Sequence, residues 1–232
     1  MPLAFRLVPA ALAALLVAAP AAQPVVHEGT LDANDPVRDN GSPYDPYTFE
    51  VREDQLVTVR MESQEFDTYL IVRSPSGVET VSDDFEGTMI SQVDLVATEA
   101  GTWTAWASAF SSSSLGSYTL SVRPGAVGQG RLAQGRLDHQ DQQALKGEYF
   151  DTHTFESGRD GEVLIQLTSL GFDGFLVVTL PDGTIVREEG MTSENLQVGP
   201  MPAARGRWRV DVTTAAPGMV GAYDLRFVTF DR

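Results

Sequence analysis

Carboxylates are the residues of this sequence best placed to do chemistry, and the chemistry they suit is cation binding. Calcium takes about 6–8 oxygen ligands, from carboxylates, backbone carbonyls and water. Asp67, Asp83 and Asp84 form one candidate set, and Asp173, Glu188 and Glu189 are a looser counterpart later in the chain. Asp32, Asn34 and Asp35 make a third, an Asp-x-Asn-Asp loop near the start. Calcium is therefore the candidate cofactor, although no EF-hand spacing is present. A structural expectation competes at each place. Asp67 and Asp173 both follow a Phe, and there they would cap loop amides. Asp83-Asp84 also reads as a solvated loop.

Catalysis has less to work with. The three histidines are His27, His139 and His153. His27 lies close to the mature terminus, His139 sits in a polar loop, and His153 occupies a strand position. A nucleophilic triad needs a Ser or Cys, a base and an orienting acid. No Gly-x-Ser-x-Gly or His-Glu-x-x-His occurs. The expectation is a protein that is not an enzyme. Among the tryptophans, Trp103 and Trp208 hold matching strand positions and are expected in a core. Trp106 has the opposite strand parity, which makes it the candidate binding contact.

These residues are positioned by an internal repeat. Ser63-Gln64-Glu65-Phe66-Asp67-Thr68-Tyr69-Leu70 returns as Ser169-Leu170-Gly171-Phe172-Asp173-Gly174-Phe175-Leu176. Gly29 aligns with Gly135, Asp45 with Asp151, Phe49 with Phe155 and Gly77 with Gly183. Beyond one deletion in the second repeat, Trp103 aligns with Trp208, Gly116 with Gly221 and Tyr118 with Tyr223. Units of about 100 residues are an ordinary size for one core. Solenoid units are shorter, roughly 20–50 residues.

Within each repeat the apolar period is two. Val57, Val59 and Met61 alternate with Thr58, Arg60 and Glu62; Trp208, Val210 and Val212 alternate with Arg209 and Asp211. That is the signature of half-buried antiparallel strands. Pro75-Ser76-Gly77, Pro181-Asp182-Gly183 and Asp39-Asn40-Gly41-Ser42 supply turns. Gln140 to Leu145 is expected to form one helical turn. The fold class is thus all-β, two tandem antiparallel β-sandwich (jelly-roll-like) domains. The expected division is a signal peptide over 1–22, a first sandwich over 23–123, a linker over 124–134 and a second sandwich over 135–232.

The ordered series Ser-x-x-Phe-Asp-x-aromatic-Leu, Pro-x-Gly, Gly-x-Trp and Gly-x-Tyr-x-Leu resembles the bacterial pre-peptidase C-terminal (PPC) domain. The first repeat matches at Ser63, Phe66, Asp67, Tyr69, Leu70, Pro75, Gly77, Asp83, Asp84, Gly101, Trp103, Gly116, Tyr118 and Leu120. The second departs from it at Gly174-Phe175 and Glu188-Glu189. The resemblance implies a compact β-sandwich, usually attached to secreted peptidases. It is related to the collagen-binding domains of clostridial collagenases, some of which bind calcium. The two repeats are expected without an attached peptidase domain.

Targeting and charge bound the partners. Arg6 is followed by the apolar run Leu7 to Ala19 and the small-x-small site Ala19-Pro20-Ala21, the layout of a secretory signal peptide. Export to the periplasm or the extracellular medium is expected, with no membrane span after cleavage. There is no cysteine, so neither a disulfide nor a lipid at a cleavage-site Cys is available. The 32 acidic against 16 basic residues give a net charge of −16, which repels nucleic acid. The leading expectation is an exported, non-catalytic binding or accessory protein that contacts an extracellular polymer, a cell-surface component or a secreted enzyme. The alternatives are a secreted peptidase or peptidase-associated protein, and a prodomain-like or chaperone-like partner of a separately encoded protease.

Overall fold

The computed structural model describes residues 23–85, 88–158, 161–189 and 195–231. The expected signal peptide over 1–22 lies outside them. Among the described residues, alternating apolar residues and glycine-bearing turns produce seventeen strands and no helix. In the first repeat these are β1 Val25–Leu31, β2 Tyr44–Val51, β3 Gln55–Ser63, β4 Thr68–Arg73, β5 Glu79–Ser82, β6 Ser91–Val96, β7 Gly101–Ala109 and β8 Gly116–Val127. The second contains β9 Gln129–Leu137, β10 Gln142–Gln143, β11 Tyr149–Ser157, β12 Gly161–Leu170, β13 Gly174–Thr179, β14 Ile185–Glu189, β15 Asn195–Pro202, β16 Gly206–Thr214 and β17 Gly221–Asp231.

All pairing is antiparallel, in four sheets. The first repeat forms β1-β8-β3-β6 and β2-β7-β4-β5. The second forms β9-β17-β12-β15 and β10-β11-β16-β13-β14. The orders correspond strand for strand, with β10 added. Register corresponds as well: Phe49 faces Trp103 as Phe155 faces Trp208, and Gly29 faces Tyr118 as Gly135 faces Tyr223. Each pair of sheets encloses its own apolar core. One contains Val57, Val59, Met61, Leu70 and Trp103; the other contains Val163, Ile165, Leu167, Leu176 and Trp208. Both indoles lie in these cores, as their matching parity requires. Their Nε1–H groups donate to the carbonyls of Glu99 at 3.2 Å and Ala204 at 2.9 Å.

A tyrosine bridges the two sheets of each sandwich. Its ring lies across Gly29 or Gly135, where a Cβ would collide with the Tyr118 or Tyr223 ring. The hydroxyl thereby reaches the facing sheet. Tyr118 donates to Asp45 Oδ2 at 2.5 Å, and Tyr223 to Asp151 Oδ2 at 2.6 Å.

Two local expectations are corrected. The segment 124–134 is strand on both sides of Gly128, because β8 runs to Val127 and β9 starts at Gln129. Its glycines relieve close contacts instead of loosening the chain: a Cβ on Gly128 would strike Val228 and Phe230. Gln140 to Leu145 holds the two-residue strand β10 and no helical turn, since Gln142 and Gln143 pair with Phe150 and Tyr149.

Candidate binding face

The first repeat carries its most distinctive side chains on the outer face of β2-β7-β4-β5. Trp106 points away from the core because the inward positions of β7 are Trp103, Ala105, Ala107 and Ala109. It stands beside Pro46 of β2 and Ile71 of β4. Tyr44, also on β2, stacks on the indole with centroids 4.5 Å apart and planes at 24°. From the other flanking strand, the Arg73 guanidinium lies 4.4 Å from the ring centroid. Arg73 Nε–H also donates to Glu79 Oε1 of β5 at 2.9 Å. The result is a diagonal ladder over four strands, Tyr44–Trp106–Arg73–Glu79, with Trp106 half-buried at its centre.

A second cation–aromatic unit lies next to it. The Arg38 guanidinium sits 3.9 Å over the Tyr69 ring, and its Nη2 donates to the Ala109 carbonyl at 3.0 Å. Phe110, 53% exposed, packs 6.3 Å from Tyr69. Each cation–π contact contributes on the order of 0.5–1 kcal/mol at such half-exposed sites. The strip is therefore held in place before any partner arrives. Among the described residues, the second repeat builds nothing like it. Phe150, Asp211, Thr179, Ala144 and Ala215 stand where the first has Tyr44, Trp106, Arg73, Arg38 and Phe110. There Asp211 Oδ1 accepts from Thr152 Oγ1 at 2.6 Å and Arg209 Nε at 2.9 Å, so the position of the indole is polar.

The expected metal ligands fall out differently. Asp32 and Asp35 bond each other's turn: Asp32 N–H donates to Asp35 Oδ2, and Asn34 N–H to Asp32 Oδ1, both at 2.6 Å. The second repeat has the same closure, with Asp138 N–H on Asp141 Oδ2 at 2.6 Å and Gln140 N–H on Asp138 Oδ1 at 2.7 Å. The Asp-x-Asn-Asp loop is thus repeated scaffold, not a feature of the first repeat alone. Asp67 does not cap loop amides with both oxygens, because its Oδ1 is buried without a hydrogen-bond partner. The repeated contact is made by the main chain, from Phe110 N–H to the Asp67 carbonyl and from Ala215 N–H to the Asp173 carbonyl. Burial, and then the charges of Asp84 and Asp83, hold the Asp67 carboxyl above the usual carboxylate range. Asp83 and Asp84 are exposed in the loop after β5, whereas Glu188 and Glu189 are exposed residues of β14 itself. Among the described residues, no group of three acids or histidines converges on a metal-sized site.

Each histidine engages a tyrosine. His27 packs against the Tyr47 ring at 4.6 Å, His139 Nδ1 lies 3.2 Å from Tyr149 Oη, and His153 Nε2 lies 2.7 Å from Tyr223 Oη. Tyr47 and His153 are equivalent positions, and the Tyr47 hydroxyl meets Tyr118 Oη at 2.8 Å. Desolvation lowers the His153 pKa against the opposing pull of Asp151 and Asp211. These Tyr–Asp centres were invisible as sites in the sequence, although Asp45/Asp151 and Tyr118/Tyr223 were visible as repeated positions. Tyr44, Arg73, Arg38 and Tyr69 were missed because only cross-strand register brings them to Trp106 or to one another.

No family model matches this sequence, and no curated protein matches it. Among solved structures, a protein from Eubacterium rectale provisionally described as secreted is similar at a TM-score of 0.30 and 11% identity, over 88% of this chain and 74% of that one. A chain from the Sulfolobus turreted icosahedral virus gives 0.26 and 10%, over 81% and 55%. An oxalate decarboxylase variant from Bacillus subtilis gives 0.22 and 8%, over 88% and 77%. Likenesses this slight carry no function across.

Proposed function

We propose that this chain is an exported, non-catalytic binding protein whose contact face is the outer surface of β2-β7-β4-β5. The observation that carries this reading is the Tyr44–Trp106–Arg73 ladder, present in one repeat and replaced in the other by Phe150, Asp211 and Thr179. Two scaffolds with the same strand order have no folding reason to differ in this way. Trp, Tyr and Arg are also the residues that dominate binding energy at interfaces. Because Tyr44 and Arg73 already hold Trp106, ordering it on contact costs little. The engagement of all three histidines with tyrosines supports a non-catalytic role. The partner is an extracellular polymer or protein, a secreted protease among them.

The test is retention of the purified chain on collagen, on insoluble cell-wall polysaccharide and on immobilised secreted proteins. Trp106→Ala and Arg73→Ala should each reduce retention on the matrix that binds the wild type. Phe175→Ala, on the matching face of the second repeat, should not. Retention unchanged by Trp106→Ala, or lost equally with Phe175→Ala, would refute the assignment of this face. Hydrolysis of any of these materials, abolished by one substitution, would refute the non-catalytic reading.

A further inference from the structure

Scaffolds of equal strand order should show the same inward–outward alternation, and the second repeat breaks it at one place. Leu164 of β12 and Val228 of β17 point away from their own core, yet both are 0% exposed. They face each other across the ladder, as Thr58 faces Arg123 in the first repeat. Phe230, 3% exposed, stands where the first repeat has Gly125. These three residues pack with Val96 and Leu56 of the first repeat in a separate apolar cluster.

A polar clasp flanks the cluster. Arg226 occupies the place of Ser121. Its Nη1 donates to Asp54 Oδ1 at 2.6 Å, both Nη atoms donate to Glu53 Oε1 at 3.1 Å, and Nη2 donates to the Thr98 carbonyl at 2.9 Å. Asp54, at a φ of 59°, also accepts Gly128 N–H on its carbonyl and Gly130 N–H on Oδ2, each at 2.8 Å.

We propose that the Leu164/Val228/Phe230 face is a docking surface for the first repeat, closed by the Arg226–Asp54 clasp, so that the two repeats act as one rigid body. A lone second repeat would expose three large apolar side chains on a sheet face, which soluble monomers avoid. Gly128 alone separates β8 from β9, leaving no slack for independent motion. The ladder on β2-β7-β4-β5 is then fixed in orientation relative to the outer sheet of the second repeat.

The test uses the full chain. The double variant Leu164→Thr, Val228→Arg installs the first repeat's own pair, which its sandwich tolerates. Asp54→Gly keeps the left-handed turn and removes the Asp54 carboxylate from the clasp, leaving Arg226 only Glu53 and the Thr98 carbonyl. The wild type should unfold in one cooperative transition with a compact scattering profile. Each variant should show two transitions, a larger radius of gyration and amide exchange at Gly128 and Gly130 faster by at least about tenfold. A wild type that already unfolds in two independent transitions overturns the proposal. So do variants that keep both the single transition and the wild-type radius.

Discussion

Removing one hydroxyl tests the bridge that joins the sheets of the first repeat. Tyr118 is 4% exposed, and its hydroxyl is 2.5 Å from Asp45 Oδ2 and 2.8 Å from Tyr47 Oη. Burial raises the Asp45 pKa most, the Tyr118 hydrogen bond opposes it, and Asp35 and Asp32 add to the rise. Tyr118→Phe keeps the ring over Gly29 and deletes only the donor. A hydrogen bond to a charged group contributes about 1.5–3 kcal/mol, so the expected loss near neutral pH is about 2 kcal/mol. The sign with pH follows from linkage. A carboxyl whose folded pKa is raised favours the folded state when protonated, and that contribution fades as pH rises through the folded pKa. The variant raises the Asp45 pKa further, so its penalty grows with pH. Urea unfolding should give a loss of about 2 kcal/mol at about pH 7 and a smaller one, about 1 kcal/mol, at about pH 3, below the ordinary Asp pKa. Equal losses at the two pH values, or a loss below about 0.5 kcal/mol at neutral pH, would refute the bridge as described.

Two further expectations concern titrating groups. His153→Tyr restores the residue that the first repeat carries at Tyr47. Because desolvation lowers the His153 pKa below its ordinary 6.5, the wild type loses stability as pH falls through 6.5 toward the folded pKa, and the variant should lose that acid sensitivity in melting curves. A wild-type melting temperature flat over this window would contradict it. Asp67→Asn removes a carboxylate that burial and two neighbouring acids disfavour, so the melting temperature should rise at neutral pH and the gain should shrink in acid. Calcium at Asp67 would reverse this outcome. The wild type would then gain melting temperature with millimolar calcium, and Asp67→Asn would lose that gain.

Strand periodicity was legible because each sandwich has one wet and one dry face, and Val57, Val59 and Met61 show it directly. The corresponding strand orders follow from the same series read twice. The long strands β8 and β9 were not legible. Pro124, Gly125, Gly128 and Gly130 across their junction carry the composition of a linker, and only the close approach of Leu56, Val228 and Asp54 explains those glycines. Trp106 could be singled out by parity alone. Its partners could not, because Tyr44 and Arg73 are separated from it in sequence and meet it only through β2-β7-β4 register. The turn of the acidic loop at Asp32 recurs in the second repeat. Its repeated counterpart, Asp138 to Asp141, is spelled with a Gln for the Asn and hides the shared turn.

Comparison of the repeats position by position separates what folds the chain from what distinguishes it. Gly29 and Gly135, Tyr118 and Tyr223, and Asp45 and Asp151 are kept because one ring must cross one glycine to reach one carboxylate, and either sandwich loses its bridge without all three. Two outer surfaces break the likeness. On one, the first repeat has Trp106, Arg73 and Arg38 where the second has Asp211, Thr179 and Ala144. On the other, the second gains Leu164, Val228, Phe230 and Arg226 where the first has Thr58, Arg123, Gly125 and Ser121. The second surface is covered by the first repeat, so its departure is satisfied within the chain. The ladder around Trp106 has no such cover among the described residues. An outer face that diverges from its own repeat and finds no partner in the same chain is the one on which a partner from outside should be sought.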